Sequence, residues 1–276
     1  MDSKFTLSEE DAGTASTQEA TQVSTEDLIT TPLIEQCWKL YTNCRTAKAI
    51  GVIQGPSGTG KSSALRAIMA RHAQNELPGS IHRIKCSKAC GPSSGVRAIL
   101  LDLGIGGAVT STRSGAGLHY LLALAVKEIK RRKVAALLLD DADYYETDTI
   151  VGVVALFDQL IEAKCPVTFI MTGVLNEDRW IGQVPAAATR TLHVEHSEVM
   201  DIAMTAAVLK QMGEPFEQLV ESQRKDADAR AALRLIYKDT GGVFRRIRYF
   251  ADLANAHGNR VLTLESVEAI LEQMQN

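Results

Sequence analysis

The sequence lacks any apolar run approaching the roughly 18 residues that a membrane-spanning helix needs. It also lacks a basic N-terminal leader, because residues 1–30 contain seven acidic residues and one lysine. No membrane partner is indicated. We therefore expect a cytoplasmic protein.

Cysteine is scarce, and its spacing gives no framework for disulfides or metal. The five cysteines are scattered and odd in number, and Cys86 and Cys90 have no second pair or histidine at ligand spacing. We interpret them as reduced thiols and expect no structural zinc.

A strong excess of positive charge is also missing, since the net charge is −3. The charge is unevenly distributed, however: residues 83–133 contain ten bases against two acids. That segment is a candidate anion-binding surface. The alternative is a solvated helix face with a basic turn at residues 130–133.

Three segments are predicted from the composition and the hydrophobic pattern. Residues 1–25 have almost no large apolar side chains, which predicts a disordered acidic tail. Residues 26–197 alternate buried strands with amphipathic helices, as in an α/β domain. Residues 198–276 are predicted as a smaller, all-helical domain, with helices near 198–212, 215–222, 226–239, 242–257 and 263–274.

The most informative motif is a phosphate-binding loop between an apolar strand and a helix. Residues 55–62 match G-x-x-x-x-G-K-[ST], in which glycines allow successive backbone N–H groups to face one anion. Lys61 is expected to neutralise the β- and γ-phosphates of ATP, and Ser62 to reach Mg²⁺. The predicted cofactor-binding residues are Gly55, Pro56, Ser57, Gly58, Thr59, Gly60, Lys61, Ser62 and Ser63.

A second acidic site follows the apolar strand at residues 134–139. Asp140 is expected to hold the water shell of Mg²⁺, and Asp141 to orient or deprotonate the attacking water. Asp143 is a weaker third candidate. Thr172, at the end of the next apolar strand, can contact the γ-phosphate or simply be a satisfied strand-end hydroxyl, with Asn176 as the second choice.

These features occur in an order that resembles the AAA+ ATPases. The order is a phosphate loop, an acidic pair about 80 residues later, a polar strand end, an arginine before the last strand, and a helical region with Gly242-Val243-Phe244-Arg245. Within that family the chain is most similar to the TnsC/TniB/MuB branch of transposition regulators. The shared marks are Lys88-Ala89-Cys90-Gly91-Pro92 and Asp140-Asp141-Ala142-Asp143.

The resemblance implies a parallel P-loop sheet of order 5-1-4-3-2, flanked by helices, with a small helical lid. It also implies a homo-oligomer, a ring or helical filament, around double-stranded DNA, with a transposase and possibly a target-site selector protein as partners. Hydrolysis of ATP would drive disassembly. Most relatives carry glutamate where this chain has Asp141, which predicts slow hydrolysis.

The resemblance also implies roles for individual residues. Arg190 corresponds to the arginine supplied to a neighbouring subunit, and Arg245 to the lid sensor, with Arg246 as its rival. The implied DNA-binding residues are Lys88, Arg97, Thr112 and Arg113. The alternatives are an AAA+ ATPase of another branch, namely an ExeA-like secretion ATPase, a helicase loader or an initiator, or a slow-hydrolysing nucleotide switch.

Overall fold

The computed structural model describes residues 29–106, 117–174, 190–195, 199–258 and 261–275. The predicted tail at 1–25 lies outside these ranges. The strands are β1 (Ile50–Gln54), β2 (Ser80–Lys85), β3 (Val134–Asp140), β4 (Thr168–Gly173) and β5 (Thr191–Glu195). The helices are α1 (Pro32–Ala47), α2 (Lys61–Gln74), α3 (Pro92–Asp102), α4 (Leu118–Arg131), α5 (Thr147–Glu162), α6 (Ile202–Lys210), α7 (Glu214–Ser222), α8 (Ala227–Thr240), α9 (Phe244–Ala256) and α10 (Leu264–Gln275).

The five strands form one parallel sheet in the order β2-β3-β4-β1-β5. This confirms the predicted α/β class and the order 5-1-4-3-2. Because all strands run the same way, their last residues share one margin of the sheet, which we call the carboxyl edge. The opposite margin, where the strands begin, is the amino edge.

Helices cover both faces of the sheet, which explains why β3 and β4 are almost continuously apolar. One core lies between the sheet and α3, α4 and α5, and a second between the sheet and α1 and α2. Gly51 allows α1 to approach closely, because a Cβ there would lie 2.6 Å from Cδ1 of Ile170 and 3.0 Å from Sγ of Cys44.

Helices α6 to α10 have a core of their own, with Phe216 and Phe250 buried at its centre. The helical character of the C-terminal region is confirmed, and each helix begins and ends within about four residues of its predicted bounds. The proposed domain boundaries at 25/26 and 197/198 stay predictions. Among the described helices, none is long and apolar enough to cross a membrane.

The connection from β2 to α3, which contains Lys88, is held against the start of α5. The Thr149 hydroxyl donates to the carbonyl oxygens of Ala89 (3.1 Å) and Gly91 (3.2 Å). A Cβ at Gly152 would lie only 1.8 Å from the carbonyl oxygen of Pro92. Glycine at position 152 is therefore what allows α3 and α5 to pack this closely.

Candidate functional site

The phosphate loop lies at the carboxyl edge, between β1 and the first turn of α2. Gly58 (φ 86°) and Gly60 (φ 103°) adopt left-handed backbone conformations that a side chain would strain. The Thr59 hydroxyl donates to the carbonyl oxygen of Pro56 at 2.9 Å. The loop is thus a tight bend leading into a helix N-terminus, a geometry suited to anions.

Lys61 folds back over the loop. Its Nζ donates to the carbonyl oxygens of Gly55 (2.6 Å) and Pro56 (2.7 Å). Burial lowers the pKa of the lysine ammonium, and the negative charges of Asp143, Asp141 and Asp140 oppose that lowering. The result is a mostly buried cation beside the backbone N–H groups of the loop, as predicted for a phosphate site.

Asp140 is the most enclosed charged group of the site, with 1% of its surface exposed. Its Oδ1 accepts from the hydroxyls of Ser62 (3.0 Å) and Thr172 (2.8 Å). Its Oδ2 accepts from Nε (3.1 Å) and Nη2 of Arg83. Burial alone would raise the pKa of Asp140, but the hydrogen bonds from Arg83, Thr172 and Ser62 outweigh it, and the pKa is lowered.

This arrangement fits Mg²⁺ chemistry. Ser62 and Asp140 supply adjacent hydroxyl and carboxylate oxygens, the hard ligands that Mg²⁺ prefers alongside phosphate and water. The described residues contain no cluster of three or more His, Cys, Asp or Glu side chains that would hold a metal by themselves. Water and a bound phosphate would supply the further ligands of a cation here.

Arg83 was not predicted as a site residue, since the sequence pattern counted it only as one base of a positively charged segment. It lies on β2, beside β3, and its guanidinium forms an ion pair with Asp140. No local motif signals this contact, because it depends on the register of two strands about 50 residues apart.

Asp141 has a strained backbone, with φ 58° and ψ 45°. Its side chain is half-buried, and burial raises its pKa, with further increases from the nearby negative charges of Asp140 and Asp143. Its predicted role towards the attacking water is not tested by the contacts. Strain of this kind is concentrated at functional sites.

Thr172 connects the two aspartates. Its buried hydroxyl donates to Oδ1 of Asp140 and accepts from the backbone N–H of Asp141 at 3.2 Å. The geometry matches the satisfied strand-end hydroxyl that was one of the two expectations. A contact with the γ-phosphate stays a prediction, and Asn176 lies outside the described residues.

The start of α9 closes the site from the C-terminal region. The backbone N–H of Arg245 donates to the carbonyl oxygen of Gly58 at 3.0 Å, and Val243 also contacts the loop at Gly58. Between the loop, the turn after β3 and α9 lies a cavity of about 600 Å³. The C-terminal region thus forms one wall of the site.

Four basic side chains line this cavity: Lys61, Arg66, Arg245 and Arg248. Arg248 lies on the same face of α9 as Arg245 because it follows it by three residues. Burial lowers the pKa of Arg66, and the charges of Arg83 and Arg248 add to that lowering. Neither Arg66 nor Arg248 was predicted from the sequence.

Arg246 does not line this cavity. Its Nη2 lies 3.4 Å from Oδ2 of Asp239 on α8, on a different face of the helix. Of the two predicted lid arginines, the structure therefore places Arg245 at the site.

Arg190 lies at the amino edge, where its carbonyl oxygen accepts from the N–H of Ile50 at 2.8 Å. Its guanidinium forms an ion pair with Asp158 on α5. The length of β1 separates it from the phosphate loop of the same chain, roughly 17 Å at about 3.3 Å per residue. Arg190 therefore does not contribute to its own chain's site in this conformation.

The four predicted DNA-binding residues can be placed only in part. Lys88 is exposed in the connection after β2, and Arg97 is half-buried on α3. Thr112 and Arg113 lie outside the described residues. Their proposed contact with DNA stays a prediction.

The sequence from residue 44 to residue 181 matches the family model described as "AAA domain". The match covers half of the chain and includes the phosphate loop, Asp140 and Thr172. The chain belongs to this AAA domain family. The family implies nucleotide binding, typically with Mg²⁺, and its members are generally ATPases. No curated protein sequence matches the chain.

Solved AAA+ structures share the fold at low sequence identity. The Aeropyrum pernix ORC1 protein in complex with DNA has a TM-score of 0.59 at 13% identity, with 92% of this chain and 68% of that chain covered. Domain III of the Thermotoga maritima replication initiation protein DnaA has a TM-score of 0.58 at 14% identity, with coverages of 89% and 93%. For the Aeropyrum pernix ORC2 protein the values are 0.58, 13%, 87% and 66%. This chain thus spans about two thirds of the two archaeal ORC chains.

The contact between Arg83 and Asp140 predicts a change in metal dependence. Because Arg83 already saturates Oδ2 of Asp140, we expect Arg83→Met to lower the Mg²⁺ concentration that gives half-maximal binding of a fluorescent ATP analogue. A charge-assisted hydrogen bond contributes about 1.5–3 kcal/mol, so the shift should be roughly ten- to a hundredfold. Lys130→Met, at an exposed position near the end of α4 and remote from Asp140, also removes one charge and should leave the Mg²⁺ midpoint nearly unchanged. A midpoint for Arg83→Met at or above the wild-type value would contradict the expected competition.

From the left-handed backbone of Asp141 we expect that replacing this residue raises the stability of the fold and lowers ATP turnover. Asparagine tolerates the left-handed conformation and removes repulsion from Asp140 and Asp143, so Asp141→Asn should raise the free energy of unfolding by about 1 kcal/mol. Urea denaturation measures this change. Asp143→Asn removes an equal charge without relieving positive φ, and should stabilise less. ATP turnover by Asp141→Asn should fall well below that of the wild type, and a destabilised or fully active variant would contradict the assigned role.

Proposed function

We propose that this chain is an ATP-dependent, DNA-binding AAA+ regulator that assembles on double-stranded DNA and recruits or activates a transposase there. Hydrolysis of ATP would then drive disassembly. The proposal is carried by the positions of the candidate site residues, which lie at both edges of the sheet. Ser62, Asp140 and Arg245 lie together at the carboxyl edge, whereas Arg190 lies at the amino edge.

The nucleotide chemistry follows from the residues at the carboxyl edge. The phosphate loop and Lys61 would hold the β- and γ-phosphates, while Ser62 and Asp140 would hold Mg²⁺, which supplies charge neutralisation at the transferred phosphoryl group. Asp141 orients the attacking water and accepts its proton. Thr172 positions the carboxylate of Asp140 and the backbone of Asp141 through its hydroxyl.

A second copy of the chain would complete the site. An arginine that reaches a phosphoryl group across an interface stabilises its developing negative charge, and so couples hydrolysis to assembly. Arg190 is exposed enough to do this if its ion pair with Asp158 opens. The role of Asp158 would then be to hold Arg190 in the isolated chain.

DNA binding is proposed through Lys88 and Arg97, with Thr112 and Arg113. The first two follow β2, near the carboxyl edge, so DNA and nucleotide would act on the same side of the sheet. Contacts of this kind reach phosphates and carry little sequence information. The proposal that a transposase is the partner is based on the two short motifs shared with the TnsC/TniB/MuB branch.

A second candidate is an AAA+ protein of the initiator or helicase-loader type. It is favoured by the fold shared with DnaA and with an ORC1 protein whose structure is a complex with DNA. Imaging with ATP and duplex DNA distinguishes the two: DNA-dependent rings or filaments of this chain alone favour the first proposal.

The short side chain of Asp141 favours a third candidate, a nucleotide switch that hydrolyses ATP slowly. Near-zero phosphate release with and without DNA, restored by Asp141→Glu, would support the switch.

The DNA proposal predicts an ATP-dependent mobility shift of duplex DNA at low salt. The shift should weaken steeply with salt, because binding through phosphates releases counterions. Lys61→Ala, which removes the phosphate-binding cation, should abolish the ATP dependence. Normal ATP binding by the wild type without any shift of the duplex would overturn the proposal.

The proposed role of Arg190 in trans predicts complementation between two inactive variants. Arg190→Ala keeps an intact phosphate site, and Asp141→Asn keeps an intact arginine, so mixed assemblies contain some complete sites. Phosphate release should therefore be low for each variant and clearly higher for the mixture. Arg190→Lys keeps the charge and tests the need for the guanidinium. A mixture no more active than its components would place Arg190 outside the reaction.

A further inference from the structure

A second cavity lies at the amino edge, on the side of the sheet opposite the nucleotide site. It has a volume of about 380 Å³ and is formed by the turns that precede β2, β3 and β4 and by the end of α1. We call it the amino-edge cleft. Three basic side chains line it, Arg45, Lys48 and Lys133, and no acidic residue is among the described residues of its wall. Arg190 lies on β5, two strands away from β4.

A chain of hydrogen bonds fixes the turn before β2, which lines the cleft at Gly79. The His72 ring lies between the Tyr41 hydroxyl (2.7 Å from Nδ1) and the carbonyl oxygen of Gly79 (3.0 Å from Nε2). Because a carbonyl only accepts, Nε2 carries the proton, and the Tyr41 hydroxyl donates to Nδ1. The next residue, Ser80, donates its backbone N–H to the carbonyl oxygen of Lys133 at 3.1 Å.

These bonds hold the turns before β2 and β3 together. Gly79 is required at this junction, since a Cβ there would lie 2.6 Å from the carbonyl oxygen of Lys133. Arg45 joins the same network from α1, and its positive charge opposes the burial that raises the pKa of Tyr41. Two of the three cations, Arg45 and Lys133, therefore lie on segments that these hydrogen bonds hold together.

Lys48 and Lys133 stand where glycine is usually favoured. Both have φ 53°, in the left-handed region that costs a residue with a side chain conformational energy. A simple explanation is that each lysine neutralises the C-terminal dipole of the helix before it. The same explanation would account for Lys164, which follows α5 with φ 54° but does not line the cleft. Lys164 therefore provides a lysine with the same backbone conformation outside the cleft, against which Lys48 and Lys133 can be compared.

We propose that the amino-edge cleft binds phosphate esters, either the backbone phosphates of a nucleic acid or the polyphosphate of a small molecule. Three cations without a carboxylate among them attract a multiply charged anion, and guanidinium and ammonium groups are the usual donors to phosphate. The inference does not depend on the proposed function, because the cleft and the phosphate loop lie at opposite edges of the sheet.

The test uses pyrophosphate and a fluorescent duplex as probes in full-length protein carrying Lys61→Ala, which weakens anion binding at the phosphate loop equally in the parent and the test variant. The test variant combines Lys48→Gly with Lys133→Gly. Pyrophosphate binding, measured by calorimetry, should weaken at least tenfold. If backbone phosphates are the ligand, duplex binding should weaken as well, and its salt dependence should fall by about two counterions. If only pyrophosphate binding is lost, the ligand is a small polyphosphate.

Lys164→Gly is the matched control, since it removes one lysine charge and the cost of one left-handed backbone conformation outside the cleft. It should bind both probes like the Lys61→Ala parent. Glycine adopts these conformations freely, so the double variant should keep a thermal midpoint near or above the parent's, which excludes unfolding as the cause of lost binding. If it does not fold, Lys48→Asn with Lys133→Asn replaces it. Parental affinity for pyrophosphate in the folded double variant, or an equal loss in Lys164→Gly, would overturn the proposal.

Discussion

The arrangement of the site depends on one buried carboxylate, that of Asp140. A charge enclosed to this degree is tolerated only when it is paired and hydrogen-bonded. Its partners come from three other elements, Ser62 on α2, Thr172 on β4 and Arg83 on β2, so the carboxylate fixes the position of the phosphate helix relative to three adjacent strands. The same bonds lower the pKa of Asp140, while the bond from Arg83 competes with a cation for Oδ2.

The sequence predicts whatever depends on neighbours along the chain. The phosphate loop, the apolar strands and the acidic pair after β3 are local patterns, and the order of the strands followed from the family that those patterns resemble. Arg83, Arg66 and Arg248 were missed because their roles arise from strand register and from the docking of α9, contacts between distant segments. Arg245 and Arg246 are adjacent in sequence, and only the rotation of about 100° per residue along α9 separates them.

The two edges of the sheet carry different chemistry. At the carboxyl edge, Asp141, Asp143 and Asp252 line the same cavity as four basic side chains, an arrangement that suits a magnesium-bound nucleotide. Arg190 and the cations of the amino-edge cleft lie at the opposite edge, where the helices end and positive charge is favoured by their dipoles. If the amino edge of one copy packs against the carboxyl edge of the next, Arg190 of the first copy faces the nucleotide site of the second.

Asp141 combines a left-handed backbone with two like charges nearby. A residue held with positive φ, beside two like charges, is kept there by Thr172, which bonds its backbone N–H while also bonding Asp140. The two acids are therefore not independent: whatever displaces Arg83 from Asp140 also acts on the hydroxyl that fixes Asp141. Because β2 carries Arg83 and leads directly into the connection that contains Lys88, a ligand bound at that connection is linked to Asp141 through the Arg83–Asp140 ion pair and the hydrogen bonds of Thr172. Coupling between DNA and hydrolysis would then need no large rearrangement, only a shift of β2 against β3.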